Sequence, residues 1–472
     1  MLTKEEFLTR KENGETFLIV QEEEGDSVTP ITLYRRMKGE KKFLLESSQL
    51  HHDQGRYSYL GCNPYGEIKS DGRTVEITKE GVSEVREAHV LKVLEGMLVT
   101  NRFESLFPFC GGAVGYIGYD VIRQYEHIGD ELEDSLQIPE VHLLLYRQFV
   151  VYDHVKQKVS LVYVYKNTDS LTYEEIYEEM EAYKRELLYD RETCEQDRVF
   201  SLSFTSVTTE EAFCEMVEKA KEHIRAGDIF QVVLSQRLQS EFVGNPFQLY
   251  RKLRTANPSP YMFYIDFEEY VVLGSSPESL IAVRGDEVMT NPIAGTRARG
   301  KTREEDEQIA KELLANEKER AEHMMLVDLG RNDIGRVSEV SSVALRKYMK
   351  VEKFSHVMHI VSEVYGILRE NKSGFDALAH CLPAGTVSGA PKIRAMGIIN
   401  DLETEKRNVY GGAVGYVSFS GDMDMALAIR TMVVKDGTAY VQAGAGVVYD
   451  SDPKAEYEET LHKAKALLEV MK

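Results

Sequence analysis

Met425-Ala-Leu-Ala-Ile-Arg-Thr-Met432 alternates with period two, Asp436-Gly437 follows, and Ala439 to Val448 returns as a second run of strand length. Asp-Gly between two such runs marks a two-residue hairpin, because both turn positions need positive φ. The sheet this hairpin opens is therefore antiparallel. Working outward, Ile229-Phe-Gln-Val-Val-Leu-Ser-Gln-Arg237, Phe43-Leu-Leu-Glu-Ser47 and Phe149-Val-Val-Tyr152 read as further strands. Helices interleave with them. Thr208 with Glu211 forms a capping box ahead of a stripe of Phe213, Val217, Ala220 and Ile224, and Gly227-Asp228 closes that helix. Thr302 with Glu305 opens a long helix to about Leu329, and Tyr173 to Leu188 carries Ile176, Met180, Tyr183 and Leu187 at helical spacing. Ser451-Asp452-Pro453 caps a last one. This mixture is α+β, and it lacks the regular βαβ alternation of a doubly wound fold. A polar stretch without periodicity, Asp190 to Val207, divides an N-terminal region, 1–195, from a second region, 205–472. Gly111-Gly-Ala-Val-Gly-Tyr116 recurs letter for letter as Gly411-Gly-Ala-Val-Gly-Tyr416, and glycines in a strand let a backbone or a ligand approach closely.

The 472 residues include 57 Lys+Arg and 78 Asp+Glu, a net charge of −21. That balance argues against sequence-independent nucleic-acid binding, which needs a basic face to displace counterions. No apolar run approaches the 18 or so residues of a membrane span, and the polar start does not read as a secretory signal. Five cysteines (Cys62, Cys110, Cys194, Cys214 and Cys381) are scattered and never spaced Cys-x-x-Cys, which suits a reducing cytoplasm better than a disulfide scaffold or a structural zinc site.

Two helices each carry a pair of glutamates at i, i+3: Glu319 with Glu322, and Glu456 with Glu459. That spacing puts both carboxylates of a pair on one face. Should the two helix ends converge, like charges about 4 Å apart at an effective dielectric of about 20 would repel by about 4 kcal/mol. A divalent cation relieves that, and an all-oxygen donor set with room for water favours Mg²⁺ over zinc. Anion-binding elements accompany the carboxylates. Gly385-Thr-Val-Ser-Gly-Ala-Pro-Lys392 is a Gly-rich turn leading into a helix, and Ala443-Gly444-Ala445-Gly446 offers backbone donors. Arg430, on an otherwise apolar alternating run, needs a carboxylate partner. Together these features point to a small substrate with more than one carboxylate.

The second region resembles the chorismate-utilising enzymes continuously from about Thr208 to Lys472. The motifs are Asp228-Ile-Phe-Gln-Val-Val-Leu-Ser-Gln-Arg237, Ser276-Pro-Glu-Ser279, Pro292-Ile-Ala-Gly-Thr-Arg297, Ala321-Glu-His-Met-Met-Leu-Val-Asp-Leu329, Gly385 to Lys392 and Gln442-Ala-Gly-Ala-Gly446. The N-terminal region is similar to the large subunits of anthranilate synthases through Leu44-Leu-Glu-Ser47, as is Asn257-Pro-Ser-Pro-Tyr-Met262 later on. The resemblance implies antiparallel sheets packed as a sandwich with helices outside. It implies amination of chorismate at C2 and loss of pyruvate to give anthranilate, the first step of tryptophan biosynthesis.

For individual residues, the resemblance implies Mg²⁺ on Glu322 and Glu459, with Glu319 and Glu456 close by. Substrate contacts fall on Gly295, Thr296, Thr386, Tyr410, Arg430, Gly444, Ala445 and Gly446. Glu278 matches the general acid for the C4 hydroxyl, which requires its pKa to rise by roughly two to three units through desolvation or the nearby glutamates. His359 matches the catalytic histidine. Relatives that add water at C2 carry a lysine base where this chain has Gln231, and neutral Gln cannot deprotonate water. Many aminodeoxychorismate synthases carry a nucleophilic lysine at the position of Ala294. Ammonia is therefore expected to attack C2 directly, with aminodeoxychorismate synthase as the rival enzyme and a non-catalytic amino-acid sensor as the rival of another class. Cys110 is the only cysteine beside a pair of glycines (Gly111, Gly112) and no His-x-Glu lies near the C-terminus, so the ammonia implies a separate glutamine amidotransferase subunit and a hetero-oligomer. The resemblance also implies inhibition by tryptophan at Glu46, Ser47, Pro260, Tyr261 and Met262, bordered by Val414 and Tyr416. There a short hydroxyl can accept the ammonium while Tyr261 and Met262 pack on the indole.

Overall fold

The structure is a computed structural model, and it describes residues 2–47, 55–98, 106–166, 169–190, 202–354 and 357–468. Among them, two antiparallel sheets of 12 strands each enclose one apolar core. The first sheet runs Phe17–Glu24, Lys158–Tyr165, Gln148–Asp153, Tyr57–Gly61, Phe43–Glu46, Tyr261–Asp266, Tyr270–Ser276, Thr431–Lys435, Thr438–Val447, Gln231–Glu241, Thr205–Ser206. The second runs Ile293–Ala298, Val357–Ile367, Glu287–Thr290, Ser279–Arg284, Met423–Leu427, Ala413–Ser418, Gly112–Ile117, Val141–Tyr146, Gly66–Asp71, Thr74–Lys79, Val82–Glu87. Gly389–Ala390 pairs with the Gln231 strand, and Ala344–Lys353 with the Val357 strand. The outer face of the first sheet buries Phe7, Leu33, Met180 and Leu253, one from each of the helices Lys4–Glu12, Pro30–Arg36, Tyr173–Tyr189 and Pro246–Ala256. Apolar faces on both sides of a sheet require this three-layer cover.

Each sheet joins the two regions at its centre. Phe43–Glu46 pairs with Tyr261–Asp266, and Gly112–Ile117 with Ala413–Ser418. Moving outward from either junction, strands from the first region match strands from the second in the same order, so an approximate two-fold axis passes between the halves. The echoed sequence lies on that axis, with Gly115 opposite Gly415 and each Tyr opposite the other copy's Val. A Cβ at Gly115 would stand 2.0 Å from the His142 carbonyl oxygen, and one at Gly415 2.1 Å from that of Asp424. The repeated glycines thus admit close packing of neighbouring strands.

The hairpin forms at Asp436-Gly437, with φ of 48° and 72° and Lys435 opposite Thr438. The last helix, Pro453–Leu468, has its Ala455 N–H capped by Asp452 at 2.9 Å. Three local readings shift. The cap of the helix Glu210–Ala226 is Thr209, not Thr208, with Ala212 N–H at 3.2 Å from its hydroxyl. The long helix from Thr302 is two helices, Arg303–Ala315 and Glu317–Gly335, because Asn316 turns its side chain back to cap Glu319 N–H at 3.0 Å. A mid-helix Asn favours such a cap over continued helix. Met425–Met432 is not one strand: Met423–Leu427 belongs to the second sheet and Thr431–Lys435 to the first, and the chain changes sheets at Ala428–Arg430, where Arg430 has φ of 50°.

Candidate active site

Glu278 sits on the turn between Tyr270–Ser276 and Ser279–Arg284. Its backbone is fixed on both sides: Leu427 N–H donates to its carbonyl at 3.0 Å, and Ser276 Oγ donates to the Leu427 carbonyl at 2.7 Å. The side chain is buried, and Oε1 accepts from Thr386 Oγ1 at 3.0 Å. Burial pushes its pKa up to about 8, moderated by the Thr386 hydroxyl and the Arg430 charge. The rise comes from desolvation, and the glutamate cluster takes no part in it.

Arg430 owes its place to the sheet crossing. Its carbonyl accepts from Ser275 N–H at 3.1 Å, and its half-buried guanidinium feels Glu278 as its counter-charge. No carboxylate pairs with it at bonding distance among the described residues, so the partner it needs is left for a ligand.

His359 lies opposite Thr296 on paired strands. Its Nδ1 donates to the Gly295 carbonyl at 3.0 Å and stands 3.1 Å from Thr296 Oγ1. Burial, then the Arg430 charge, lower its pKa to about 4, so the ring is neutral. With the proton on Nδ1, Nε2 keeps a free lone pair, and this buried atom has no partner. Such an atom calls for a donor from outside.

Gly295 occupies a bulge at φ of 66°, and a Cβ there would lie 3.0 Å from Glu319 Oε2. Glu319 also pairs with Arg297 at 2.9 Å. Burial raises the pKa of Glu322, the charges of Glu319 and Glu459 raise it further, and those of Lys463 and Lys318 oppose the rise. Glu456 is likewise raised, by burial and Glu459 against a Ser451 hydrogen bond, and its Oε2 is buried without a partner. Lys463 bridges Glu459 at 2.7 Å and the Gly444 carbonyl at 3.1 Å. Its i, i+4 spacing from Glu459 was the available signal for this residue, which the sequence reading missed. Among the described residues no three His, Cys, Asp or Glu side chains gather closely enough to hold a metal as they stand.

Gly444 and Gly446 share a face of their strand. A Cβ on Gly444 would meet Tyr410 Oη at 2.7 Å, and one on Gly446 would meet Gln231 Nε2 at 2.5 Å. Ala445 turns its methyl into the core, leaving only its backbone for contact. Ala294 is buried and brings no nucleophile. Lys392, in the Gly-rich turn, is held by Asp333 at 2.5 Å.

A cavity of about 250 Å³ opens between the sheets beside the two central junctions. Glu46, Ser47, Pro260, Tyr261, Met262, Val414 and Tyr416 all line it, as do Arg284 and Asp424, which the sequence reading did not reach. The Glu46 carboxylate is already engaged by Tyr250 Oη at 2.7 Å and Arg254 Nε at 2.8 Å. Arg284 donates to Tyr416 Oη at 3.1 Å and Asp424 Oδ2 at 2.8 Å, and Asp424 Oδ1 is buried without a partner. Cys110 is fully buried against Ser418 Oγ at 2.7 Å and presents no nucleophile to solvent.

Residues 40–469 match the family model of the chorismate binding enzymes. The chain is 47% identical over 470 residues to anthranilate synthase component 1 of Acetivibrio thermocellus, covering 96% of this chain and 94% of that one. The same protein of Lactococcus lactis subsp. lactis is also 47% identical, with 96% and 99% covered. Among solved structures, anthranilate synthase component I from Streptococcus pneumoniae TIGR4 superposes with a TM-score of 0.82 at 45% identity, covering 94% of this chain and 98% of that chain. The isochorismate synthase MenF from Escherichia coli shares the fold at a TM-score of 0.72 and 18% identity, with 99% and 100% covered. The chain belongs to the chorismate-binding enzyme family. Within it, the chain groups with the anthranilate synthase component 1 proteins, enzymes that convert chorismate.

Proposed function

We propose that the protein aminates chorismate at C2 with ammonia and eliminates pyruvate to give anthranilate. The observation that carries this reading is a buried carboxyl, bonded by Thr386 and pushed up to about 8, which feels the same unpaired Arg430 charge as a neutral histidine with an open Nε2. Arg430 holds the enolpyruvyl carboxylate. Glu278 gives its proton to the C4 hydroxyl, which leaves as water, and His359 Nε2 accepts a hydrogen bond beside that hydroxyl. Ammonia adds at C2 in the same step. Loss of the C2 proton and the enolpyruvyl group, released as pyruvate, then restores the aromatic ring. Gln231 and Ala294 supply neither a base for water nor a covalent nucleophile.

The acidic oxygens of Glu322, Glu459, Glu319 and Glu456 fit Mg²⁺ by donor type, and the orphaned Glu456 Oε2 supports a cation there. When bound, Mg²⁺ would polarise and fix the ring carboxylate. The ammonia comes from a glutamine amidotransferase subunit, for which Cys110 is no substitute. The unbridged Cys62, Cys110, Cys214 and Cys381 are compatible with work in the cytoplasm. Incubation with chorismate, Mg²⁺ and ammonium at mildly alkaline pH is expected to release fluorescent anthranilate and pyruvate. An aminodeoxychorismate or isochorismate product would overturn the reading.

The 250 Å³ cavity is the tryptophan site in this proposal. Its aromatic and Met lining suits an indole, and the Arg284–Asp424 pair offers both charges an amino acid needs. Ser47→Arg places a long cation inside it, so tryptophan inhibition is expected to weaken at least about tenfold, by roughly 1.4 kcal/mol of lost binding. Turnover without tryptophan should stay near the parent rate; an unchanged inhibition constant would remove the site.

A further inference from the structure

Arg407 lies in the loop after the helix Lys392–Leu402, is fully buried, and touches none of the groups assigned to chemistry except the ring of Tyr410. Four of its five N–H donors are nevertheless placed on three separate elements. Nε and Nη2 grip the two oxygens of Glu403 at 2.8 and 2.5 Å, Nη1 donates to the Val387 carbonyl at 2.6 Å, and Nη2 donates to the Val233 carbonyl at 2.8 Å. Glu403 Oε1 in turn accepts from Ser235 N–H at 2.8 Å and Ser235 Oγ at 2.9 Å. The guanidinium carbon stands 4.8 Å from the Tyr119 ring centre and 5.6 Å from that of Tyr410.

Each of those contacts ends one or two residues from the site. Val387 follows Thr386, which donates to Glu278; Val233 lies on the strand that presents Gln231; and Tyr410 faces Gly444. A buried ion pair gains little net stability over apolar packing. A planar fork that satisfies several fixed acceptors does set their mutual geometry, and an ammonium cannot reproduce it.

We infer that Arg407 is a positioning residue for the proton transfer: it fixes the Gly-rich turn so that Thr386 stays on Glu278, and it aligns Tyr410 and the Gln231 strand around the same substrate. This rests on the reading of Glu278 as the acid. Thr386 donates to the ionised form and so lowers the pKa of Glu278; losing that bond must move it up, and with it the pH at which activity falls. The other ionisable groups about Glu278 are Arg430, His359 behind it, Cys381, and Asp333, which Lys392 neutralises.

The test compares pH profiles of kcat for the parent, Thr386→Val and Arg407→Lys, each with ammonium as donor. Both variants are expected to shift the basic limb in the same upward direction, and Arg407→Lys to lower kcat by roughly 10- to 100-fold. A merely structural Arg407 would lower Tm and the fraction of active enzyme while leaving that limb in place, and this result overturns the inference. Should Arg407→Lys fail to fold, Glu403→Gln, which releases the guanidinium from its anchor, takes its place; unfolding of both also overturns it. If Thr386→Val leaves the limb unmoved as well, Glu278 is not the titrating acid and the inference falls with that reading. A limb moved by Thr386→Val alone refutes only the role of Arg407.

Discussion

Glu278→Gln is expected to lower kcat by roughly 10²- to 10⁴-fold, the range of a single general acid, with little change in KM. The amide keeps the size of the side chain and can still meet the Thr386 hydroxyl, so the fold and the substrate site survive. Its amide N–H is far too weak an acid to protonate the C4 hydroxyl as the proposed mechanism requires. The sign of the pH dependence follows from the direction of the shift. A carboxyl titrating at about 8 is protonated below that pH, so the parent rate should fall as pH rises through about 8. The free-ammonia concentration rises over the same interval, so profiles need to be taken at constant free ammonia. In the variant that descending limb should vanish along with the rate. A variant that keeps most of its activity, or the same limb at lower amplitude, would move the proton donor elsewhere.

Glu322→Gln and Glu459→Gln are each expected to bring turnover below about a thousandth of the parent, since a Lewis-acidic cation supplies several kcal/mol and each decade takes about 1.4. Their second readout is independent of activity. Mg²⁺ should raise the Tm of the parent by mass action and leave that of either variant nearly unmoved. Under this proposal, binding would have to gather oxygens that are not clustered in advance, and Glu459 would have to leave Lys463 to hold the cation. Full activity in either variant, or an equal rise in Tm, would remove the cation from these helices.

Much of this is legible in the sequence itself. Asp436-Gly437, the glutamate spacings and the Ser276-Pro-Glu-Ser279 turn are local, and local patterns carry their own geometry. What escaped was non-local. Period two runs unbroken through Met425–Met432 in either sheet, so alternation alone cannot show that the chain leaves one sheet for the other at Arg430. Yet that crossing is what aims the guanidinium at Glu278. Phe43–Glu46 meets Tyr261–Asp266 across more than 200 residues of sequence, and no window of either segment announces the other. Asn316 was legible in principle as a cap competing with helix. Arg284 and Asp424 carried no signal, because a surface ion pair and a pocket-lining one look alike in sequence. Burial raises Glu278, and burial is a property of the assembled fold.

The seam between the two copies of the echoed sequence has a consequence for inheritance. The innermost strand of each half pairs with that of the other, and a Cβ on Gly112 would stand 2.1 Å from the Val417 carbonyl oxygen and one on Gly412 2.4 Å from that of Ile117, so the seam leaves no room for a side chain at either glycine. Drift in one half is therefore checked by the other, and a gene segment imported from a distant relative would bring edges that no longer mesh. A change at one side of the seam is therefore expected to need a matching change at the other.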